Sequence, residues 1–243
     1  AYRPLLPDIR FIEFNNPNDL NQISAKTAAI IIETIQGEAG VRAPDLEYML
    51  QLRQRCTETG TLLILDEIQT GFGRTGSLFG FENFNIVPDI LLLAKGMGGG
   101  MPIGAFVSDR EIMNTLTENP ILGHITTFGG HPVSCAAGLA NLEVILEENL
   151  HQHVASKESL FRECLKHPEI KEIRGMGLML SIQLNSFDQV ENISRMCTDK
   201  GIIIDWFLHC ETAMRIAPPL IITEEEIRLA CSIILEALDN YTP

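Results

Sequence analysis

Short apolar runs alternate along this chain with longer amphipathic stretches, the rhythm of an α/β protein. Positions 28–32 read AAIII, a β-branched run too short for a helix, and mark a buried strand that stops at Glu33. Asp45 is a natural N-cap. Behind it, residues 46–59 place Leu46, Met49, Leu50 and Leu52 on one helical face, and Gly60 ends the helix. A second strand at 61–65 (TLLIL) ends at Asp66, a third at 90–93 (ILLL) ends beside Lys95, and a fourth covers 103–107. Uninterrupted apolar strands of this kind belong to a parallel sheet covered on both faces. A long helix is expected over 132–148.

Past that helix the texture changes. Residues 154–166 form an amphipathic helix, and 178–184 (LMLSIQL) roughly alternate, as a strand with one wet face does. A short strand is expected at 202–204. Thr223 opens a final helix to about Asp239, with Glu226 three residues on completing a capping-box pattern. The change of texture puts a domain boundary near 150–154, with residues 1–152 in a first domain and 153–243 in a smaller α+β one. Internal repeats and low-complexity segments are absent from the pattern.

Composition narrows the class. The 243 residues are 45% hydrophobic and 21% charged, the balance of a globular protein with a large core rather than a disordered chain. No apolar run reaches the roughly 18–20 residues of a membrane span. The net charge is −14, from 32 acids against 18 bases, and no Lys/Arg cluster interrupts it, which argues against a nucleic-acid partner. The six cysteines form no C-x-x-C pair and no Cys/His grouping with zinc spacing, so no metal site is expected. They read as thiols of a reducing, cytoplasmic compartment. The first residues lack both an apolar signal region and an initiator Met, which suggests a piece of a longer protein.

In open parallel sheets ligands bind beyond the carboxyl ends of the strands. Glu33, then Asp66 with Glu67 and Gln69, and then Lys95 stand at three such ends. Lys95 follows a buried strand directly and precedes Gly96-Met97-Gly98-Gly99-Gly100. An amine held there is expected to be partly desolvated, which disfavours the ammonium, lowers its pKa and makes it a nucleophile able to form a Schiff base with a carbonyl cofactor. Pyridoxal phosphate withdraws electrons best when its pyridine nitrogen keeps a proton, and a carboxylate on the neighbouring strand end, Asp66, suits that task. Ile68 could pack on the ring face, and Gln69 could reach the ring hydroxyl.

Two other motifs compete. TLLILDE at 61–67 fits a Walker B strand, which would make the chain a nucleotide-binding module, but no G-x-x-x-x-G-K-[ST] accompanies it. Residues 71–76 (GFGRTG) fit G-x-G-x-x-G. Five residues separate them from the strand, however, and SLFGF behind them does not look helical.

Five segments together carry a more specific signal. Glu33-Thr34-Ile35-Gln36-Gly37-Glu38-Ala39-Gly40, residues 65–76 (LDEIQTGFGRTG), Ala94-Lys95-Gly96 with the glycines to Gly100, Thr127-Phe128-Gly129-Gly130-His131-Pro132 and residues 214–220 (MRIAPPL) resemble, in order, the motifs of the class III pyridoxal-phosphate aminotransferases. The resemblance implies fold type I, with a mostly parallel sheet in the large domain and a small α+β carboxyl-terminal domain. It implies Lys95 as the cofactor-bearing lysine and proton shuttle, and Asp66 as the partner of the pyridine nitrogen. Ile68 and Gln69 match the ring-packing and ring-hydroxyl positions. Thr127 matches a threonine that binds the cofactor phosphate of a neighbouring subunit, so a homodimer with shared sites is implied.

Arg215 resembles the arginine that grips the α-carboxylate of the amino acceptor, a contact suited to a guanidinium fork. Glu38 matches a glutamate that masks this arginine while a donor with a distal amine is bound, and Glu33 stands with it among the substrate-side residues. The implied reaction is ping-pong transamination from ornithine or N-acetylornithine to 2-oxoglutarate. A 4-aminobutyrate aminotransferase and an amino-aldehyde 2,1-aminomutase are alternatives within the family. Thr34 stands where the family often has proline, a change expected to alter only local backbone. The family's phosphate-cradling loop and ring-stacking aromatic have no counterpart in this sequence.

Overall fold

The computed structural model describes residues 6–121 and 124–242. A first sheet has the order β1 (Ala29–Glu33), β2 (Leu62–Asp66), β3 (Ile90–Leu93) and β4 (Ala105–Ser108). Pairs β1–β2 and β2–β3 are parallel, whereas β4 runs antiparallel to β3. The sheet is thus mostly parallel, as expected, with β4 as its antiparallel edge. Residues 94–104 are fewer than the dozen or so that a parallel crossover needs, so the chain has to fold straight back. The sheet is also less covered than its apolar strands suggest, since Ile31 and Val107 are 68% and 51% exposed.

Helix α1 (Leu46–Thr59) fills the connection between β1 and β2. Gly60 ends it in the left-handed region (φ 70°), its N–H turned back to the carbonyls of Cys56 and Thr57. Asp45 sits at the N-cap but does not cap with its side chain. Its carboxylate accepts instead from Asn15 Nδ2 at 3.0 Å. The buried face is Tyr48, Met49, Leu52 and Cys56; Met49 and Leu52 are buried as expected, whereas Leu46 and Leu50 are exposed. At 3.6 residues per turn, Leu50 lies about 160–200° around the helix from Leu52.

Two further helices, α2 (Arg110–Asn114) and α3 (Pro132–Glu147), precede a short 3₁₀ turn and α4 (Val154–Cys164). A second sheet follows, ordered β5 (Glu172–Met176), β6 (Met179–Gln183), β8 (Cys210–Ile216), β7 (Trp206–Phe207), with every pair antiparallel. Helices α5 (Phe187–Asp199) and α6 (Glu224–Asp239) complete the chain. The Thr223 capping box forms as expected, with Glu226 N–H donating to Thr223 Oγ1 at 3.2 Å and Thr223 N–H donating to Glu226 Oε2 at 2.8 Å. No strand forms at 202–204, where Ile203 is 92% exposed.

Strand β6 has no wet face. Its alternation separates two cores instead of core from solvent. Met179 joins the cluster of the first sheet, to which Phe207 and Ala213 also belong. Leu180 and Ile182 join a second cluster with Met214, Val154, Phe161, Val190 and Ile234. Ser181 is buried as well.

Candidate functional site

The register of the first sheet assembles the candidate residues. Glu33 is paired with Asp66 across β1 and β2, and Asp66 with Leu92 across β2 and β3, so Lys95 follows three residues after that last pair. Two carboxylates and one amine thus gather beyond the carboxyl ends of three adjacent strands, where such sheets place ligands. Lys95 takes a left-handed backbone conformation (φ 44°) at the start of a 3₁₀ turn, Lys95–Gly98. A non-glycine residue there is strained, as residues at functional sites often are.

Lys95, Ile68, Gln69 and Arg215 border one cavity of about 480 Å³. Asp66, Glu33 and Glu38 are not among the residues that line it, although Glu38 is bonded to two that do, Gln69 and Arg215. Lys95 itself is exposed, which corrects the expectation of a desolvated amine. Asp66 is half-buried, with Oδ1 accepting from the N–H of Ile68 at 2.9 Å; among the described residues Oδ2 has no partner. Burial raises the Glu33 carboxyl above 4.5, opposed by the N–H of Gly37 at 2.9 Å. The charges of Asp66 and Glu38 push it up further, and Lys95 pulls it down.

Glu38 and Arg215, 177 residues apart, form an ion pair. Arg215 Nη2 donates to Glu38 Oε1 and Oε2 at 3.1 and 3.0 Å and to the carbonyl of Trp206 at 3.2 Å. Its guanidinium lies 4.7 Å from the centre of the Phe207 ring, a cation–π contact. Asp205 Oδ1 is 3.3 Å from Nε without hydrogen-bond alignment, so that N–H is unpaired. Burial by itself would raise the Glu38 carboxyl. The Leu208 N–H at 3.1 Å, Arg215 and Gln69 outweigh it and hold the group below 4.5. Gln69 Nε2 donates to Glu38 Oε1 at 3.3 Å. Gly37 permits that approach, because a Cβ on it would lie 2.8 Å from the Gln69 amide.

Thr127 is exposed and borders a different cavity with Pro102 and Ser134, so the structure does not bring it to Lys95 within one chain.

Three contributions were missed in the sequence. Glu67 is fully buried and accepts from Thr34 Oγ1 at 2.9 Å and from the N–H groups of Gly80 and Phe81, both at 2.6 Å. Thr34 therefore does more than alter local backbone. It ties the strand end carrying Glu33 to the one carrying Asp66. Its position beside Glu33 was the available signal. Arg74 belongs to the 71–76 segment, which forms turns and opens no α-helix. It donates to the carbonyls of Leu178 at 3.2 Å and Pro218 at 2.5 Å. From α4, Lys157 donates to the carbonyl of Leu220 at 2.5 Å. Two cations thereby hold the cavity wall that follows Arg215.

The model of the class-III aminotransferases matches residues 11–238. The chain is 40% identical to the acetylornithine aminotransferase of Caldanaerobacter subterraneus subsp. tengcongensis, an alignment that covers 99% of this chain and 61% of that protein. Among solved structures, the ornithine aminotransferase from Toxoplasma gondii ME49 superposes with a TM-score of 0.89 at 34% identity, over 96% of this chain and 57% of that one. The acetylornithine aminotransferase from Elizabethkingia anophelis does so with a TM-score of 0.86 at 33% identity, over 95% and 59%. The chain spans about three fifths of the length of the relatives it matches. A family match over nearly every residue and a shared fold agree with the order of motifs along the strand ends: this chain belongs to the class III aminotransferases.

Proposed function

We propose that this chain carries much of the active site of an aminotransferase that moves the distal amino group of ornithine or N-acetylornithine to 2-oxoglutarate. The observation that carries this reading is the Glu38–Arg215 ion pair at a cavity bordered by Lys95. Class III aminotransferases use pyridoxal 5′-phosphate, which when bound supplies the electrophile and electron sink for amino transfer. The residues present fit its ring. Lys95 offers an amine in the open cavity, and Asp66 keeps one carboxylate oxygen without a donor among the described residues. Ile68 offers an apolar face, and Gln69 lies beside it.

In this reading Asp66 holds a proton on the pyridine nitrogen. Lys95 Nζ would hold the cofactor and, when freed by the incoming amine, would be the group that moves a proton at the substrate carbon. With the Glu38–Arg215 pair closed, the guanidinium is neutralised and a donor enters amine first. Arg215 binds Glu38 through Nη2 only, and among the described residues Nη1 has no partner. Once Glu38 swings away, Arg215 can grip the α-carboxylate of 2-oxoglutarate as a fork.

Thr127 is exposed and apart from the Lys95 cavity, which supports including in the proposal a homodimer in which it serves a second copy of the chain. The second core, which begins at Val154, supports a division into a cofactor-binding part (1–152) and a carboxyl-terminal part (153–243). Among the described residues no helix is long and apolar enough to cross a membrane, and the six free thiols accord with a cytoplasmic address. The test is a donor panel on the full-length protein with 2-oxoglutarate, read as glutamate formed. Ornithine or N-acetylornithine should lead the panel. Preference for 4-aminobutyrate, or rearrangement of an amino aldehyde without an acceptor, overturns the assignment.

A further inference from the structure

The turn that carries Glu38 is closed on itself and gripped from the second sheet. Gln36 and Arg42 exchange both backbone hydrogen bonds, at 3.0 and 2.9 Å, and inside that pair the N–H groups of Gly40 and Val41 both donate to the Gly37 carbonyl at 3.2 Å. Val41 takes a left-handed backbone conformation (φ 50°), although it is β-branched and buried. Such a residue is strained there and keeps that shape only where its surroundings impose it. Arg174 of β5 supplies a hold. Its Nε donates at 3.0 Å to the Gly40 carbonyl, the oxygen of the peptide that joins Gly40 to Val41. The guanidinium is itself fixed, since Nη1 donates to Glu172 Oε2 at 2.8 Å and Nη2 to Gln183 Oε1 at 2.9 Å. Gly40 (φ 86°) sits so near that a Cβ on it would lie 2.9 Å from Arg174 Nη2 and 2.8 Å from Cys210 Sγ. Cys210 opens β8, the strand that carries Arg215, and the N–H of His209 just before it donates to the Glu38 carbonyl at 3.1 Å.

We propose that Arg174 is a positioning residue for the Glu38 mask. By pinning the Gly40–Val41 peptide to the sheet that carries Arg215, it keeps Glu38 in register with the arginine. The side chain of Glu38, not its backbone, is then the part that moves between the half-reactions. The inference rests on the masking role given to Glu38 above. Both Glu38 oxygens lie close to Arg215 Nη2, at 3.1 and 3.0 Å, so a displacement of the turn by about 1 Å takes them out of hydrogen-bond range. Arg174 is not among the residues that line the Lys95 cavity, so its effect on the chemistry passes through the turn. Without its guanidinium the strained peptide relaxes, the turn shifts, and the closed pair forms less often. The donor half-reaction needs that pair closed and slows. The acceptor half-reaction needs it open and is spared.

The test measures the two half-reactions separately in the full-length holoenzyme, one with ornithine or N-acetylornithine and one with 2-oxoglutarate. In Arg174→Gln the donor half-reaction should slow about threefold to tenfold, while the 2-oxoglutarate half-reaction stays within about twofold of the wild type. Added to Glu38→Gln, Arg174→Gln should change the donor rate by less than about twofold, because the two residues act through one contact. A purely structural residue moves neither the ratio of the halves nor that coupling. Arg174→Lys keeps the cation without the fork and should shift the ratio in the same direction; it decides the matter if Arg174→Gln does not fold. The inference is overturned if the Arg174 variants slow both halves equally, or if the losses from Arg174→Gln and Glu38→Gln multiply. Glu38→Gln alone then still slows the donor half, and the masking role stands. Equal losses in Glu38→Gln itself overturn that role and this inference with it.

Discussion

Glu38 divides its two oxygens among Arg215, Gln69 and the N–H of Leu208, so removing its charge frees the arginine without emptying the site. In Glu38→Gln the half-reaction with a distal-amine donor should slow by roughly tenfold to a hundredfold, the scale of one charged hydrogen bond, while the half-reaction with 2-oxoglutarate changes far less. Single-turnover kinetics of the two halves separate these effects, and equal losses would contradict the masking role. Thr34→Val removes the hydroxyl from a buried carboxylate and should cost about 1–3 kcal/mol in urea unfolding. Glu33 tests the electrostatics. Its carboxyl is raised above 4.5 in the fold, so its contribution to stability is complete below that value and is lost as pH rises through the raised one. Glu33→Gln should therefore gain on the wild type as pH rises above the ordinary carboxylate range, as read from urea midpoints. The identities of these residues were legible as motifs. Their surroundings were not: nothing in Ala94-Lys95-Gly96 tells that the lysine stays exposed, and the place of Thr34 beside Glu33, though it marks the residue, does not tell that its hydroxyl finds Glu67, because both facts depend on neighbours distant in the chain.

At the scale of elements, the cavity wall after Arg215 hangs on side chains from elsewhere. Arg74 is half-buried with carbonyls as its acceptors, and desolvation lowers its pKa. Arg74→Ala should destabilise the chain by about 2–4 kcal/mol, since it leaves two carbonyls without a donor. It should also raise KM for 2-oxoglutarate more than it lowers kcat, because the wall holding Arg215 loosens. An unchanged KM would place Arg74 in the fold alone. Elements governed by local chemistry were readable: α6 follows from its capping box, and α1 ends where Gly60 turns the chain. Pairing direction and burial were less so. Strand β4 runs antiparallel because its connection is short, and β6 alternates between two apolar partners, a pattern that sequence alone reads as core against solvent.

For the whole molecule, the second sheet couples the two cores. Met179, Phe207 and Ala213 pack with the first sheet, while their neighbours Leu180 and Met214 pack with the second core. The two parts should unfold together. Trp206, edge-on to Phe187 at 5.1 Å, reports from the junction, and its carbonyl holds Arg215. The fluorescence removed by Trp206→Phe should share one urea midpoint with far-ultraviolet circular dichroism; two separated midpoints would show independent parts. The assignment of chemistry to this junction rests above all on one nitrogen. Borohydride reduction of the full-length holoenzyme, followed by digestion and mass mapping, should find the pyridoxyl group on Lys95. A catalytically competent enzyme that carries the group on another lysine, or on none, would contradict the account.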